Sequence, residues 1–251
     1  MELQPIEIQI TPQATWITFA DSAGNSLPGS TLTGLTQAIQ NADNDPGNII
    51  VLKSAGDRTF CAGASFDELI KISDKDAGLT FFSGFSNVIN AMRQSKKIVL
   101  VRAQGKAVGG GVGLICAADY AIGTRYSSVR LSELAIGIGP FVIGPAVERR
   151  IGLSAFRKMA LTPDEWQTAA WAKQQGMFEE VFDEISQVDD YINHLIAKWA
   201  SYSPDALQAL KSVFWEGTDH WRDLMTVRAR ISGELVLGQF TKAAITAFRN
   251  A

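Results

Sequence analysis

Two short runs, Ile49-Ile50-Val51-Leu52 and Ile98-Val99-Leu100-Val101, constrain the fold of this chain more than any other feature. Each is wholly apolar and largely β-branched, the mark of a strand covered on both faces. Between them Phe81, Phe82, Phe85, Val88, Ile89 and Met92 recur at helical spacing, a core-facing stripe. Strand, helix, strand and then a glycine cluster opening another helix predict an α/β fold of repeated β-and-α units. Upstream, Ile6, Ile8 and Ile10 alternate with polar residues as a half-buried strand does, with Thr15–Phe19 as hairpin partner. Ser30 is placed to cap a helix running to about Asn41. From Ser154 onward the pattern is helical and holds Trp166, Trp171, Trp199, Trp215 and Trp221. No Pro/Gly/Ser-rich linker intervenes. The expected division is an α/β core over residues 1–200 and a helical region over 201–251.

Charge narrows the partners. With 23 Lys+Arg against 26 Asp+Glu the formal charge is −3, which argues against nucleic acid as a ligand. The longest charge-free apolar run, Ala107 to Ala118, falls short of the ~20 residues a spanning helix needs. No leader pattern opens the chain at Met1-Glu2-Leu3. A cytoplasmic protein with no membrane partner is expected. Cys61 and Cys116 lack CxxC spacing and sit among apolar residues, so both are expected as buried free thiols. His194 and His220 are the only histidines, which excludes a three-histidine zinc site.

The glycine cluster Gly105-Lys106-Ala107-Val108-Gly109-Gly110-Gly111-Val112-Gly113 follows a strand and opens a helix over Leu114 to Ala118. A Walker loop is excluded, because Lys106 precedes the cluster and no Gly-Lys-Ser/Thr follows. The dinucleotide fingerprint fails at Cys116. An oxyanion-binding turn and simple close packing of helix on strand both survive. A second turn of the same kind, Phe60-Cys61-Ala62-Gly63-Ala64-Ser65-Phe66, follows the first buried strand and leads into a helix expected to reach about Ile72. Two such turns can each aim one backbone N–H at a shared oxygen, an arrangement in which losing one donor costs ~3 kcal/mol.

Phe60 to Ala64, and Gly105 to Gly113 with Cys116-Ala117-Ala118-Asp119, resemble the two signature segments of the crotonase (enoyl-CoA hydratase/isomerase) superfamily. The resemblance extends from Asn25-Ser26-Leu27 to the stretch from Lys211 to Gly217. It implies a spiral of ββα units, a C-terminal helical trimerisation region giving a homotrimer or homohexamer, and an acyl-CoA substrate. It further implies that the N–H groups of Ala64 and Gly110 hold the thioester oxygen. Ala62, at the adenine portion of coenzyme A, Gly63, Phe66, Gly109 and Phe141 are the implied substrate-binding residues. No metal or separate cofactor is implied, since coenzyme A arrives as part of the thioester. One or two members of the Phe81–Met92 stripe could line the acyl chain.

Hydratases of this superfamily carry two glutamates, and here the first of those positions is Gly113 while the second is Glu133. An apolar setting would raise the Glu133 pKa and suit it to proton transfer near neutrality. One base is enough to move a double bond, taking a proton from C2 and returning it at C4, so a single glutamate tilts the reading toward isomerisation. Hydration by Glu133 through an ordered water, a methylglutaconyl-CoA hydratase activity, decarboxylation, and an idle CoA-binding protein are the alternatives. Asp67, Glu68 and Glu148 are candidate substitutes for the missing acid, each with a plain surface role as its rival. Phe141 and Val142 put bulk where relatives have small residues and could shorten the acyl end. Lys106 and Arg58 could meet a CoA phosphate or a second carboxylate on the acyl group, or simply face water. The chain ends at Ala251 soon after Phe248-Arg249, without the longer basic tail of some relatives. A Ser/His hydrolase is disfavoured: Ser65 has no histidine partner and no Gly-x-Ser-x-Gly elbow.

Overall fold

The computed structural model describes residues 4–249. The readings placed on Met1–Leu3, and those on Phe248, Arg249 and Ala251, concern positions or side chains outside the described residues. The chain opens with β1 (Ile6–Ile10) and β2 (Ala14–Phe19), an antiparallel hairpin with Ile6 opposite Phe19, as the isoleucine alternation predicts. Next comes α1 (Gly29–Ala42). Its cap is Pro28, two residues before the expected Ser30, and offers no side-chain bond. A distant group serves the helix end instead, Glu68 Oε2 accepting from the Gly29 N–H at 2.8 Å.

Three ββα turns follow. The first is β3 (Ile49–Ser54), β4 (Thr59–Cys61), then the short α2 (Phe66–Leu69) and long α3 (Lys75–Gln94). The second is β5 (Ile98–Ala103), β6 (Lys106–Val108) and α4 (Gly110–Cys116). The third is β7 (Tyr120–Thr124), β8 (Val129–Arg130), a 3-10 turn at Glu133–Ile136 and α5 (Gly144–Leu161). In each turn the first strand joins one sheet and the second strand joins another. The large sheet runs β1-β2-β3-β5-β7-β9 and is parallel from β2 onward, while the small one, β4-β6-β8, is parallel throughout. The expected spiral of ββα units is therefore present. Both β-branched runs are fully buried at its centre except Ile98 at its edge.

Beyond α5 lie α6 (Ala169–Gln174), β9 (Glu180–Phe182), α7 (Ile185–Ala200), α8 (Pro204–Phe214), α9 (Trp221–Leu235) and α10 (Gln239–Arg249). Strand β9 departs from the expected all-helical stretch. Three half-buried residues carry no periodic signal, and only pairing with β7 makes them a strand. Helix α2 also stops at Leu69, short of the expected Ile72, and α4 starts earlier, at Gly110 itself.

The C-terminal helices are fastened to the spiral at two places. Helix α9 crosses α3 backbone to backbone, and a Cβ added at Gly78 would stand 2.6 Å from Gly233 Cα. Helix α8 is held by Lys211, whose Nζ donates to Asp119 at 2.7 Å and to the Met92 carbonyl at 2.8 Å. Asp119 also accepts from Trp215 Nε1 at 2.6 Å and from the Val99 N–H at 2.7 Å. Both ion-pair side chains are buried, so their hydrogen bonds offset the loss of hydration. Among the described residues no helix is long and apolar enough to cross a membrane.

Candidate active site

The small sheet sets the site. Its three strands run parallel, so the residues that follow them emerge at one end. After β4 come Ala62, Gly63 and Ala64; after β6, Gly109 and Gly110; after β8, Ser132 and Glu133. The sequence-predicted catalytic residues thus gather because each ends one strand of the same sheet.

Backbone conformation then shapes each turn. Gly63 has φ +94° and Gly109 φ +51°, angles at which a side chain would be strained. A Cβ at Gly63 would meet the Val108 carbonyl oxygen at 3.2 Å and the Gly110 nitrogen at 3.9 Å, so the two turns touch. The first turn is held from outside as well. Asn25, itself at φ +56°, donates through Nδ2 to the Ala55 and Thr59 carbonyls, each at 2.8 Å. The Leu27 N–H donates to the Gly63 carbonyl at 2.8 Å, the Ala62 N–H to Gly24 at 3.1 Å, and the Ser65 N–H to Leu27 at 3.3 Å. These bonds pass over Ala64. Among the described residues neither the Ala64 nor the Gly110 N–H has an acceptor, and Gly110 opens a helix where such groups point outward. Ser65, considered as a nucleophile, instead caps α2, its hydroxyl accepting from the Glu68 N–H.

Glu133 closes the arrangement. A Cβ at Gly109 would lie 2.7 Å from Glu133 Oε1, so the carboxylate rests against the glycine beside Gly110. The residue is half-buried as a whole, but Oε2 is shut from solvent and has no hydrogen-bond partner. Burial pushes its pKa up to about 7, opposed only by its own backbone N–H. A carboxylate of that pKa with one buried, unpartnered oxygen, beside two unpartnered N–H donors, can exchange a proton with a carbon whose charge the donors stabilise.

Of the other candidate acids, Glu148 is half-buried on α5 and none is placed against Gly109 as Glu133 is. Glu68 is bound to Gly29 and Asp67 is exposed. In the charged stretch at 148–150, Arg150 pairs with Glu179 at 2.6 Å and Arg149 donates to the Phe214 carbonyl. Lys106 lies over the Trp166 ring at 5.1 Å, with Arg130 at 4.6 Å, and Arg58 is exposed. Among the described residues no cluster of three His, Cys, Asp or Glu could hold a metal. Cys61 and Cys116 are free and buried, each pushed up to about 12 by desolvation.

Sequence reasoning missed two side chains. A Cβ at Gly110 would fall on the Phe85 ring, and one at Gly113 would stand 2.6 Å from Ile143 Cγ2. Phe85 is in the apolar stripe, where nothing distinguishes it from its neighbours. Ile143 stands next to the two residues whose bulk the sequence does flag. Of those, Val142 is buried and Phe141 lies over Gly139. Phe66, half-buried, belongs to an apolar cluster with Leu69, Ile138, Val236 and Ile245. This cluster joins segments just past Ala64 and just past Glu133 to α9 and α10. Beside it opens a cavity of about 450 Å³ lined by Leu69, Ile70, Ile72, Val236, Lys242 and Ile245. A larger cavity, about 660 Å³, lies elsewhere among α5, α7 and α8, and neither cavity is lined by Ala64, Gly110 or Glu133. The chemistry, rather than cavity size, identifies the site.

Similarities to known proteins agree with this geometry. Residues 12–240 match the family model described as enoyl-CoA hydratase/isomerase. The chain is 28% identical over 169 residues to a mitochondrial enoyl-CoA hydratase from Pongo abelii, covering 67% of this chain and 57% of that protein. It is 26% identical over 192 residues to a peroxisomal Delta(3,5)-Delta(2,4)-dienoyl-CoA isomerase from Arabidopsis thaliana, covering 70% and 68%. It is 27% identical over 218 residues to an (E)-benzylidenesuccinyl-CoA hydratase from Thauera aromatica, covering 86% and 84%. Its fold matches a crystal structure of an enoyl-CoA hydratase from Bacillus halodurans with TM-score 0.89 at 19% identity, over 97% of this chain and 100% of that one. The chain belongs to the enoyl-CoA hydratase/isomerase family.

Proposed function

We propose that this chain shifts the double bond of an enoyl thioester of coenzyme A, using Glu133 as its one base. The observation that carries the reading is the isolation of Glu133: Oε2 buried and unpartnered, against Gly109, with the free N–H groups of Ala64 and Gly110 alongside. The thioester oxygen accepts from those two donors. Glu133 takes a proton from C2 of a 3-enoyl chain, and the electron pair spreads into a dienolate whose charge rests on the held oxygen. Glu133 then returns the proton at C4, so that the C3=C4 bond becomes C2=C3 and no water is consumed. The chemistry requires no metal or separate cofactor. The cavity beside α2 joins apolar Leu69, Ile70, Ile72, Val236 and Ile245 to polar Thr246 and Lys242, and in this reading receives part of the substrate. Ala62, Gly63, Phe66, Gly109 and Phe141 line the approach in this reading, the Phe141 ring lying over Gly139. The resemblance further points to a homotrimer.

Hydration of a 2-enoyl thioester is the second reading, favoured by the hydratases among the similar proteins. It needs Glu133 alone to activate the water and protonate C2. Following a 3-enoyl-CoA by the rising absorbance of a conjugated thioester tests the first reading. Turnover should fall by about 10²–10⁴ in Glu133→Gln while binding of the CoA thioester is kept. No conjugation by the parent chain rejects isomerisation.

A further inference from the structure

Gly110 and Gly113 lie one turn apart on α4, and the spaces where their side chains would go are already full. The Phe85 ring occupies the first. At Gly113 a Cβ would stand 2.6 Å from Ile143 Cγ2, 2.8 Å from Ile143 Cβ and 3.5 Å from Ile89 Cδ1. Phe85 and Ile89 are themselves one turn apart on α3, and Ile143 immediately precedes α5. All three are buried, at 6%, 0% and 4% exposure. Glu133 meets the same helix end at Gly109. One carboxylate therefore faces this turn, and three hydrocarbon side chains pack around the rest of it.

We infer that Ile143, backed by Ile89 and Phe85, is the specificity-determining residue of this site: an apolar plug that keeps a second polar group or an ordered water off α4. The inference rests on the one-base reading and deepens it. Hydration requires a water held so that its oxygen bonds to C3 while a proton reaches C2. A held water needs two to four polar partners, and an apolar wall supplies none. With the plug in place the dienolate regains its proton from Glu133, and the double bond moves instead. Position 113 has no room for a side chain while Ile143 is there, so the glycine and the isoleucine form one device.

The test compares Ile143→Thr with Ile143→Val, nearly equal in volume and differing by a hydroxyl in place of a methyl. Each folded variant is given a 2-enoyl- and a 3-enoyl-CoA, and the ratio of hydroxyacyl product to double-bond isomer is read by mass spectrometry. The threonine should raise that ratio by about tenfold, the scale of one added hydrogen bond, while the valine keeps it within about twofold of the parent. Equal ratios in all three proteins overturn the plug. A parent that only hydrates rejects the one-base reading and the plug together, since water then reaches the site with Ile143 in place, whereas an isomerising parent with equal ratios rejects the plug alone. If the parent turns over neither substrate, melting temperatures decide. Gly113→Ala should melt lower than the parent, and its cost should be smaller when introduced into Ile143→Ala than into the parent. An equal cost in both backgrounds overturns the contact.

Discussion

At the scale of single residues the proposed chemistry depends on the proton of Glu133. Its pKa is raised from 4.5 to about 7 because burial penalises the charged form. The folded chain therefore holds this proton more tightly than the unfolded chain does. The associated stability is fully present below about pH 4.5 and is lost as pH rises through about 7. Two outcomes of opposite sign follow. Activity that needs the ionised base should climb with pH and level off above about 7. Glu133→Gln, which removes the ionisation cost, should be more stable than the parent at pH 8 by up to ~3 kcal/mol, with the gap closing toward pH 4.5. Melting curves of the two proteins across that range check the second, and a constant gap would contradict it. Glu133 was legible through the resemblance, as the retained one of two glutamate positions, and its apolar neighbours pointed to a raised pKa. Ile143 and Phe85 were not, because an apolar residue that packs against a distant glycine leaves no local pattern. The capping of α1 by Glu68 was missed for a related reason: its partner Gly29 lies 39 positions away in the sequence.

At the scale of elements, strands β3 and β5 were legible from composition alone, since only strands covered on both faces carry such runs. The small sheet was not. Strands of two or three residues, β4, β6 and β8, have no period to read, yet they bring the three site segments together. The attachment of α8 is equally invisible until the fold juxtaposes Lys211 with Asp119. Desolvation lowers the Lys211 pKa, Asp119 opposing it, and the pair is closed from water. Lys211→Met leaves Asp119 charged and buried without its cation. This change should cost about 3–5 kcal/mol in chemical denaturation, far more than loss of the exposed Lys75–Glu234 pair. A cost below about 1 kcal/mol would show that Trp215 and the Val99 N–H satisfy Asp119 alone.

At the scale of the whole molecule, the C-terminal helices do more than extend the chain. Thr241 and Phe240 of α10 pack on Gly137, at the end of the 3-10 turn that carries Glu133. The site is thus roofed by the chain's own last helices, which reach it across α3 through the Gly78–Gly233 contact. Helix α9 still leaves Val227, Ile231 and Leu235 exposed, three apolar residues in successive turns. In the homotrimer or homohexamer that the resemblance implies, we propose this stripe as the association surface. Light scattering should give three times, or six times, the 27.2 kDa chain mass, and Ile231→Lys should lower it. A parent that stays at 27.2 kDa would contradict assembly through this face. The central claim, one buried base beneath two backbone donors, is tested most directly by incubating the chain with a 3-enoyl-CoA in D₂O and reading the products by mass spectrometry. The expected result is a conjugated 2-enoyl-CoA formed without added water, carrying deuterium at C4 only to the extent that the Glu133 proton exchanges with solvent before its return, with the migration lost in Glu133→Gln. Addition of D₂O across the double bond without migration, or turnover that survives Glu133→Gln, would contradict the claim.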